Sequence, residues 1–252
     1  SLLTPQGKYL FEFIITKHKK GYFLECEKKL IDELFIKLNS YKFRSKVEIL
    51  NLSNEFVVAV LSREKFLTLE NSKDMLGYTT KFREDPIYLD PRHKDLGARL
   101  ITNLEKLHLS LKLLELKSSN LDEYYSVSNK LGIPQINTDK LQNNLFGIEC
   151  NLNELNGIDF KKGCYVGQEN TARIKLKDKL SKRLFPVEVI EGDLSKDSII
   201  HYENTELGRV LINNKFPFAI IKFKDKNFEF EKIFKCGSAS VKIKKPYWFK
   251  FD

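Results

Sequence analysis

Apolar and polar positions alternate loosely over residues 9–16, a polar stretch follows at 17–21, and a second apolar run occupies 22–26, the pattern of a β-hairpin. Beyond it Leu30, Ile31, Leu34, Phe35 and Leu38 recur at helical spacing, which predicts a helix over 28–39 with one apolar face laid on a sheet. Two β-rich runs, 46–51 and 55–61, flank residues 52–54 and read as another hairpin. Strand, helix, strand, strand resembles part of a split βαβ unit and points to an α+β domain. A turn-rich middle follows. Residues 120–131 then carry a helical pattern, with Gly132 as its left-handed stop and Pro134 just beyond.

From about residue 180 the pattern changes to short apolar runs at 184–190, 198–202, 208–212, 216–223 and 238–243, separated by polar turns. Short strands at this spacing favour a small β-barrel or sandwich. The change places a boundary near 177–180, inside the charged stretch 175–182, and divides the chain into domains 1–178 and 179–252. No repeat of fixed period interrupts this reading.

With 252 residues, 42% hydrophobic and 31% charged, the chain has the balance of a folded globular protein. Its longest apolar runs, 56–61 and 216–221, fall far short of the roughly 20 residues a membrane helix needs. Residues 1–8 lack the basic start and apolar stretch of a secretory signal, so a cytoplasmic address is expected. Cys26, Cys150, Cys164 and Cys236 are scattered with no C-x-x-C pair, which predicts reduced thiols and speaks against a zinc site. The histidines are equally dispersed, and no protein-bound metal is expected. A formal net charge of +9 raises the prospect of a polyanionic partner. Lysine is spread along the whole chain, however, and the densest patches, 17–20 and 242–245, do not interleave with aromatics as a base-stacking surface would. Solvated surface is the better reading, and direct nucleic-acid binding is not expected.

The most informative segment is D-F-K-K-G-C-Y-V-G-Q-E-N-T-A-R at 159–173. Gly163 and Gly167 bracket a cysteine, an aromatic and a β-branched residue, and permit tight turns or close approach of the main chain to a partner. Gln168 and Glu169 then set an amide beside a carboxylate. From residue types alone this is a bend leading into a helix. The octapeptide K-G-C-Y-V-G-Q-E, however, resembles the signature of the YgfZ family of folate-binding proteins, relatives of the glycine-cleavage aminomethyltransferase that include mitochondrial proteins acting late in iron-sulfur assembly. Arg173 fits the A-R pair that follows it. The resemblance runs through L-T-P-Q-G-K-Y-L-F-E-F at 3–13, L-D-P-R-H-K-D-L-G-A-R at 89–99, L-G-I-P at 131–134, G-I-E-C-N-L at 147–152 and the closing P-x-W at 246–248.

That resemblance implies an α+β fold: an aminomethyltransferase-like folate-binding domain of two α/β subdomains, followed by a small C-terminal β-barrel. Relatives of this type carry further residues ahead of T-P-Q-G, so an upstream segment of the folate domain is expected to be missing from a chain that opens at Ser1. The implied cofactor is tetrahydrofolate or a one-carbon derivative. Glu149 aligns with the glutamate that holds the pterin, whose adjacent donors a carboxylate can accept. Lys162, Gly163, Tyr165, Gly167, Gln168, Glu169 and Arg173 are the other implied binding positions. Cys164 is the candidate functional thiol, with Lys161 and Lys162 beside it to favour a thiolate. Glu12 stands where the aminomethyltransferase has the second of two aspartates, and Phe11 replaces the first. Ordinary aminomethyl transfer is therefore doubted, since displacement of such a group by an ångström costs about 100-fold in rate. The implied role is support of iron-sulfur client proteins, including tRNA-modifying enzymes. A glycine-cleavage aminomethyltransferase and a basic tRNA-binding module are the alternatives.

Overall fold

The computed structural model describes residues 1–176, 180–203, 205–222, 228–230 and 232–250. Two units make up the chain, one of Ser1–Glu12 with Asp122–Asp252 and the other of Phe13–Leu121. The first unit begins with strands β1 (Leu2–Leu3) and β2 (Tyr9–Phe11), which pair antiparallel.

The second unit contains β3 (Ile14–His18), β4 (Gly21–Glu25), α1 (Ile31–Lys42), β5 (Val57–Leu61), α2 (Arg63–Leu67), β6 (Thr79–Phe82), β7 (Asp85–Leu89), β8 (Ala98–Thr102) and α3 (Leu104–Leu113). β3 and β4 form the expected hairpin, and α1 follows a short 3-10 turn with Leu30 and Leu34 buried, as the helical spacing required. No hairpin forms from 46–51 and 55–61. The former is irregular and largely exposed, because Asn51 spends its amide on Asp32 and its side-chain carbonyl on the Ser53 N–H, turning the chain where a strand would need to continue. β5 instead pairs antiparallel with β8 in a four-stranded sheet of order β5-β8-β7-β6. Phe66, Ile87, Leu89, Ala98 and Leu100 form its core. Ser62 and Asn103 accept from the Lys65 and Lys106 N–H groups and so start α2 and α3.

The chain returns to the first unit through α4 (Leu121–Lys130), α5 (Gln168–Leu176) and six strands, β9 (Lys182–Glu191), β10 (Ile199–Tyr202), β11 (Thr205–Ile212), β12 (Phe218–Lys222), β13 (Ile233–Cys236) and β14 (Ala239–Ile243). α4 stops at Gly132, whose φ of +72° matches the left-handed stop read from the sequence. The Trp248 indole N–H donates to the Leu131 carbonyl at 2.7 Å and satisfies the helix end, so L-G-I-P and P-x-W meet in space. The six strands close into a barrel in the order β10-β11-β12-β9-β14-β13 around Phe185, Val187, Ile200, Val210, Phe234 and Val241. β13 is an addition to the strands expected. Of the expected boundary near 177–180, residues 177–179 lie outside the described residues, as does Phe223 at the end of one expected strand.

Candidate functional site

The T-P-Q-G segment makes a closed turn. Thr4 N–H donates to the Lys8 carbonyl at 2.8 Å, Gly7 N–H donates to the Thr4 carbonyl at 2.8 Å, and the Thr4 hydroxyl accepts from Lys8 N–H at 3.1 Å. The strand leaving it is paired with residues 143–147, through Tyr9 N–H to Leu145 O, Asn143 N–H to Tyr9 O, and Gly147 N–H to Gly7 O at 3.0 Å. On its other side lies the signature. Gly167 has φ of +82°, and a Cβ there would lie 2.4 Å from Thr4 O and 2.9 Å from Gly7 Cα, which explains why only glycine fits. Asn170 Nδ2 also donates to the Gln6 carbonyl.

Within the signature, Gln168 closes its own loop. Its side-chain carbonyl accepts from Tyr165 N–H at 3.1 Å while its N–H donates to Tyr165 O at 3.2 Å, a reciprocal pair at the start of α5. Buried Thr171 donates its hydroxyl to Gly167 O at 2.7 Å. Gln168, expected among the binding positions, thus has its carbonyl committed to the loop. Gly163 differs from Gly167: its surroundings are open, so no close approach demands a glycine there. Tyr165 is half-buried against the apolar cluster that includes Leu3, Tyr9 and Leu141, with Lys162 Nζ 5.0 Å from its ring centre. Glu169 and Arg173 point outward, the latter bonded to Asn170 Oδ1. Of the four free thiols Cys164 is the exposed one. Burial, with Glu25 and Glu27 nearby, pushes Cys26 up to about 11, and burial raises Cys150 well above its ordinary value.

Glu149 is half-buried in the loop that follows 143–147. Its Oε2 accepts from Phe146 N–H at 2.9 Å, and its main-chain carbonyl accepts from Leu184 N–H, which ties the loop to β9. Burial raises its pKa, while the Phe146 N–H, Lys182 and Lys8 pull it down. Oε1 accepts no hydrogen bond from the described residues, and Lys8 and Lys182 act on the carboxyl electrostatically. Glu12 is half-buried beside the fully packed Phe11. It acts electrostatically on Tyr9, whose buried hydroxyl is raised chiefly by desolvation and then by Glu12 and Cys150.

A polar constellation that residue-by-residue reading did not single out lies in the other unit. Asp90 is fully buried and receives the Arg92 N–H at 2.9 Å, Nε at 3.0 Å and Nη2 at 2.7 Å. Arg99 donates Nε to Glu25 at 2.8 Å and reaches Asp90 Oδ2 at 3.5 Å, and the Tyr88 hydroxyl donates to Glu25. Both arginines are matched by carboxylates, so the D-P-R and L-G-A-R residues form a self-neutralised brace between β4, β7 and β8. The family resemblance at 89–99 was its one sequence signal. Among the described residues no group of His, Cys, Asp or Glu is arranged to hold a metal ion, and no helix is long and apolar enough to cross a membrane.

No protein-family model matches the chain. It is 29% identical over 181 residues, 71% of this chain and 44% of the relative, to the iron-sulfur cluster assembly factor IBA57 homolog, mitochondrial, of Dictyostelium discoideum. Against iron-sulfur cluster assembly factor IBA57, mitochondrial, of Mus musculus the identity is 31% over 205 residues, covering 78% and 54%. The Homo sapiens protein of that name is 30% identical over 195 residues, covering 75% and 52%. The chain spans about half the length of the curated relatives it matches. In structure it is similar to glycine cleavage system aminomethyltransferase T from Bartonella henselae, with a TM-score of 0.72 at 10% identity, over 99% of this chain and 75% of that one. The fold is therefore the aminomethyltransferase fold, mixed α/β with a closed six-stranded C-terminal barrel. The cytoplasmic address expected from residues 1–8 is overturned, because these relatives are mitochondrial by name and point to mitochondria.

Proposed function

We propose that this chain supports the assembly or repair of iron-sulfur proteins in mitochondria, binding a reduced folate at Glu149 and presenting Cys164 to a client or a cluster in transit. The observation that carries the reading is its similarity, over 71% to 78% of its length, to relatives named as iron-sulfur cluster assembly factors. The YgfZ-like signature supports the folate part, and tRNA-modifying iron-sulfur enzymes are the client class that resemblance favours.

The residues present suit a folate chemically. A half-buried carboxylate with an oxygen still able to accept matches the paired donors of a pterin edge, and Lys8 and Lys182 favour the acidic tail. When bound, a reduced folate carries one-carbon units. The chain's own part is to seat it and to hold the exposed thiol on the loop ahead of α5. Aminomethyl transfer is the weaker reading: Phe11 is buried in the core where the resemblance has an acid, which leaves Glu12 alone.

Calorimetry with tetrahydrofolate tests the ligand, and the activity of iron-sulfur enzymes in cells carrying or lacking the gene tests the role. Binding together with depressed activity on deletion is the expected result. Absence of binding at millimolar folate overturns the ligand, and undiminished iron-sulfur activity overturns the role.

A further inference from the structure

Gly7 stands where both halves of the candidate site meet the same piece of main chain. Its carbonyl accepts from Gly147 N–H at 3.0 Å, just ahead of Glu149. Its Cα lies against Gly167, just after Cys164, and φ at Gly7 is +80°. A Cβ at Gly7 would lie 2.9 Å from Thr171 Oγ1, in the first turn of α5, and 3.2 Å from Gly167 O, just ahead of that helix.

We propose that the turn at residues 4–7 is the positioning element of the site, with Gly7 the residue that fixes the Glu149 and Cys164 segments in one register. A side chain at Gly7 leaves two ways to relieve the contact. If α5 gives way, its start moves, and the Tyr165–Gln168 reciprocal bonds carry the shift into the Cys164 loop. If the turn gives way, the Gly7 carbonyl moves, and Gly147 and the Glu149 loop go with it. Neither segment can stay in place unless the other yields. Thr4 closes the turn through its hydroxyl, so it acts on the same element without facing either segment with new atoms.

This inference rests on Glu149 and Cys164 being the working groups, but its test needs no ligand. The full chain is compared with Gly7→Ala, with Thr4→Val, which removes the turn-closing acceptor and adds no bulk, and with Gly21→Ala, an equal change where a Cβ meets nothing within 4 Å. Hydrogen exchange is followed in peptides covering 143–149 and 163–171, and the rate of iodoacetamide labelling of Cys164 is followed at one fixed pH.

Gly7→Ala is expected to speed exchange in at least one of those windows by about tenfold and to change the rate of Cys164 labelling, while the 14–25 hairpin exchanges as before. Thr4→Val is expected to do the same by about threefold, and it decides the matter if Gly7→Ala does not fold. Unchanged exchange and labelling in the folded variants would overturn the proposal, as would acceleration spread evenly over the hairpin and the barrel. If the wild-type chain fails to bind tetrahydrofolate, the ligand reading falls while these measurements still decide the positioning role.

Discussion

Glu149→Gln separates a ligand carboxylate from a merely structural one. The amide keeps the shape and still offers an oxygen to the Phe146 N–H, 2.9 Å from Oε2 in the native chain. What it removes is a charge that burial disfavours, since desolvation raises the Glu149 pKa against the pull of Phe146 N–H, Lys182 and Lys8. A carboxyl with a raised folded pKa holds its proton more tightly in the native than in the unfolded state. Its contribution is then fullest below the unfolded value of about 4.3 and is lost as pH rises through the folded one. The Gln variant is expected to lose that part of the pH dependence and to unfold at no lower temperature than wild type at pH 7. Toward a pterin the change is severe, because an amide that must accept from Phe146 turns its NH2 toward the ligand's own donors. Losing one charge-assisted bond and stranding a donor costs about 2–4 kcal/mol, at least tenfold in Kd for tetrahydrofolate by calorimetry. A Kd unchanged within about threefold would remove Glu149 from the site. A thermal midpoint lowered by more than about 5 °C would show a structural carboxylate instead.

Cys164→Ala removes an exposed sulfur, so stability should change by no more than about 0.5 kcal/mol and folate affinity should hold, while iron-sulfur enzyme activity falls in cells carrying the variant. Normal activity would assign the thiol to the surface. Asp90→Asn breaks the brace with Arg92 and Arg99 and is expected to lower unfolding free energy by about 3–5 kcal/mol in denaturant titration; a loss under about 1 kcal/mol would refute the brace. Burial raises the Asp90 pKa but the two arginines outweigh it and hold it low, so wild type, unlike the Asn variant, should lose this stability as pH falls from about 4 through the depressed value. Trp248→Phe strands the Leu131 carbonyl at the end of α4 and should cost about 1 kcal/mol, seen as a thermal midpoint about 2–4 °C lower; an unchanged midpoint would mean that water replaces the indole.

Where periodicity and burial agreed, the fold was legible. Leu30 and Leu34 turn inward as the helical spacing required, and Gly132 ends α4 with the expected hand. The middle of the chain read as turns because β7 and β8 are buried along their whole length, while their sequences, D-P-I-Y-L and A-R-L-I-T, carry charges. Asp85 is buried with the Thr102 hydroxyl 2.6 Å away, and Arg99 is matched by Glu25 across more than seventy residues. A charge neutralised by so distant a partner looks like a surface residue to any local pattern. The opposite holds at 46–51, where β-prone residues join no strand and Asn51 turns the chain toward Asp32.

The candidate site shows the same division at finer scale. Glycines on either side of Cys164 look equivalent in sequence, yet Gly163 sits in the open while Gly167 is pinned by Thr4 and Gly7 from the far end of the chain. Residue type conveys that a glycine can bend; only the neighbour conveys that it must. Likewise Gln168 reads as a ligand amide and turns out to close its own loop on Tyr165, whereas Thr171, one of a run of unremarkable helix residues, holds Gly167 and meets the space at Gly7. The K-G-C-Y-V-G-Q-E octapeptide is therefore in large part a device for building one turn against T-P-Q-G. On the proposed function, the chemistry left to it is what that construction leaves uncommitted, the exposed thiol of Cys164 and the lysines beside it, with Glu149 held on the opposite side of the same turn.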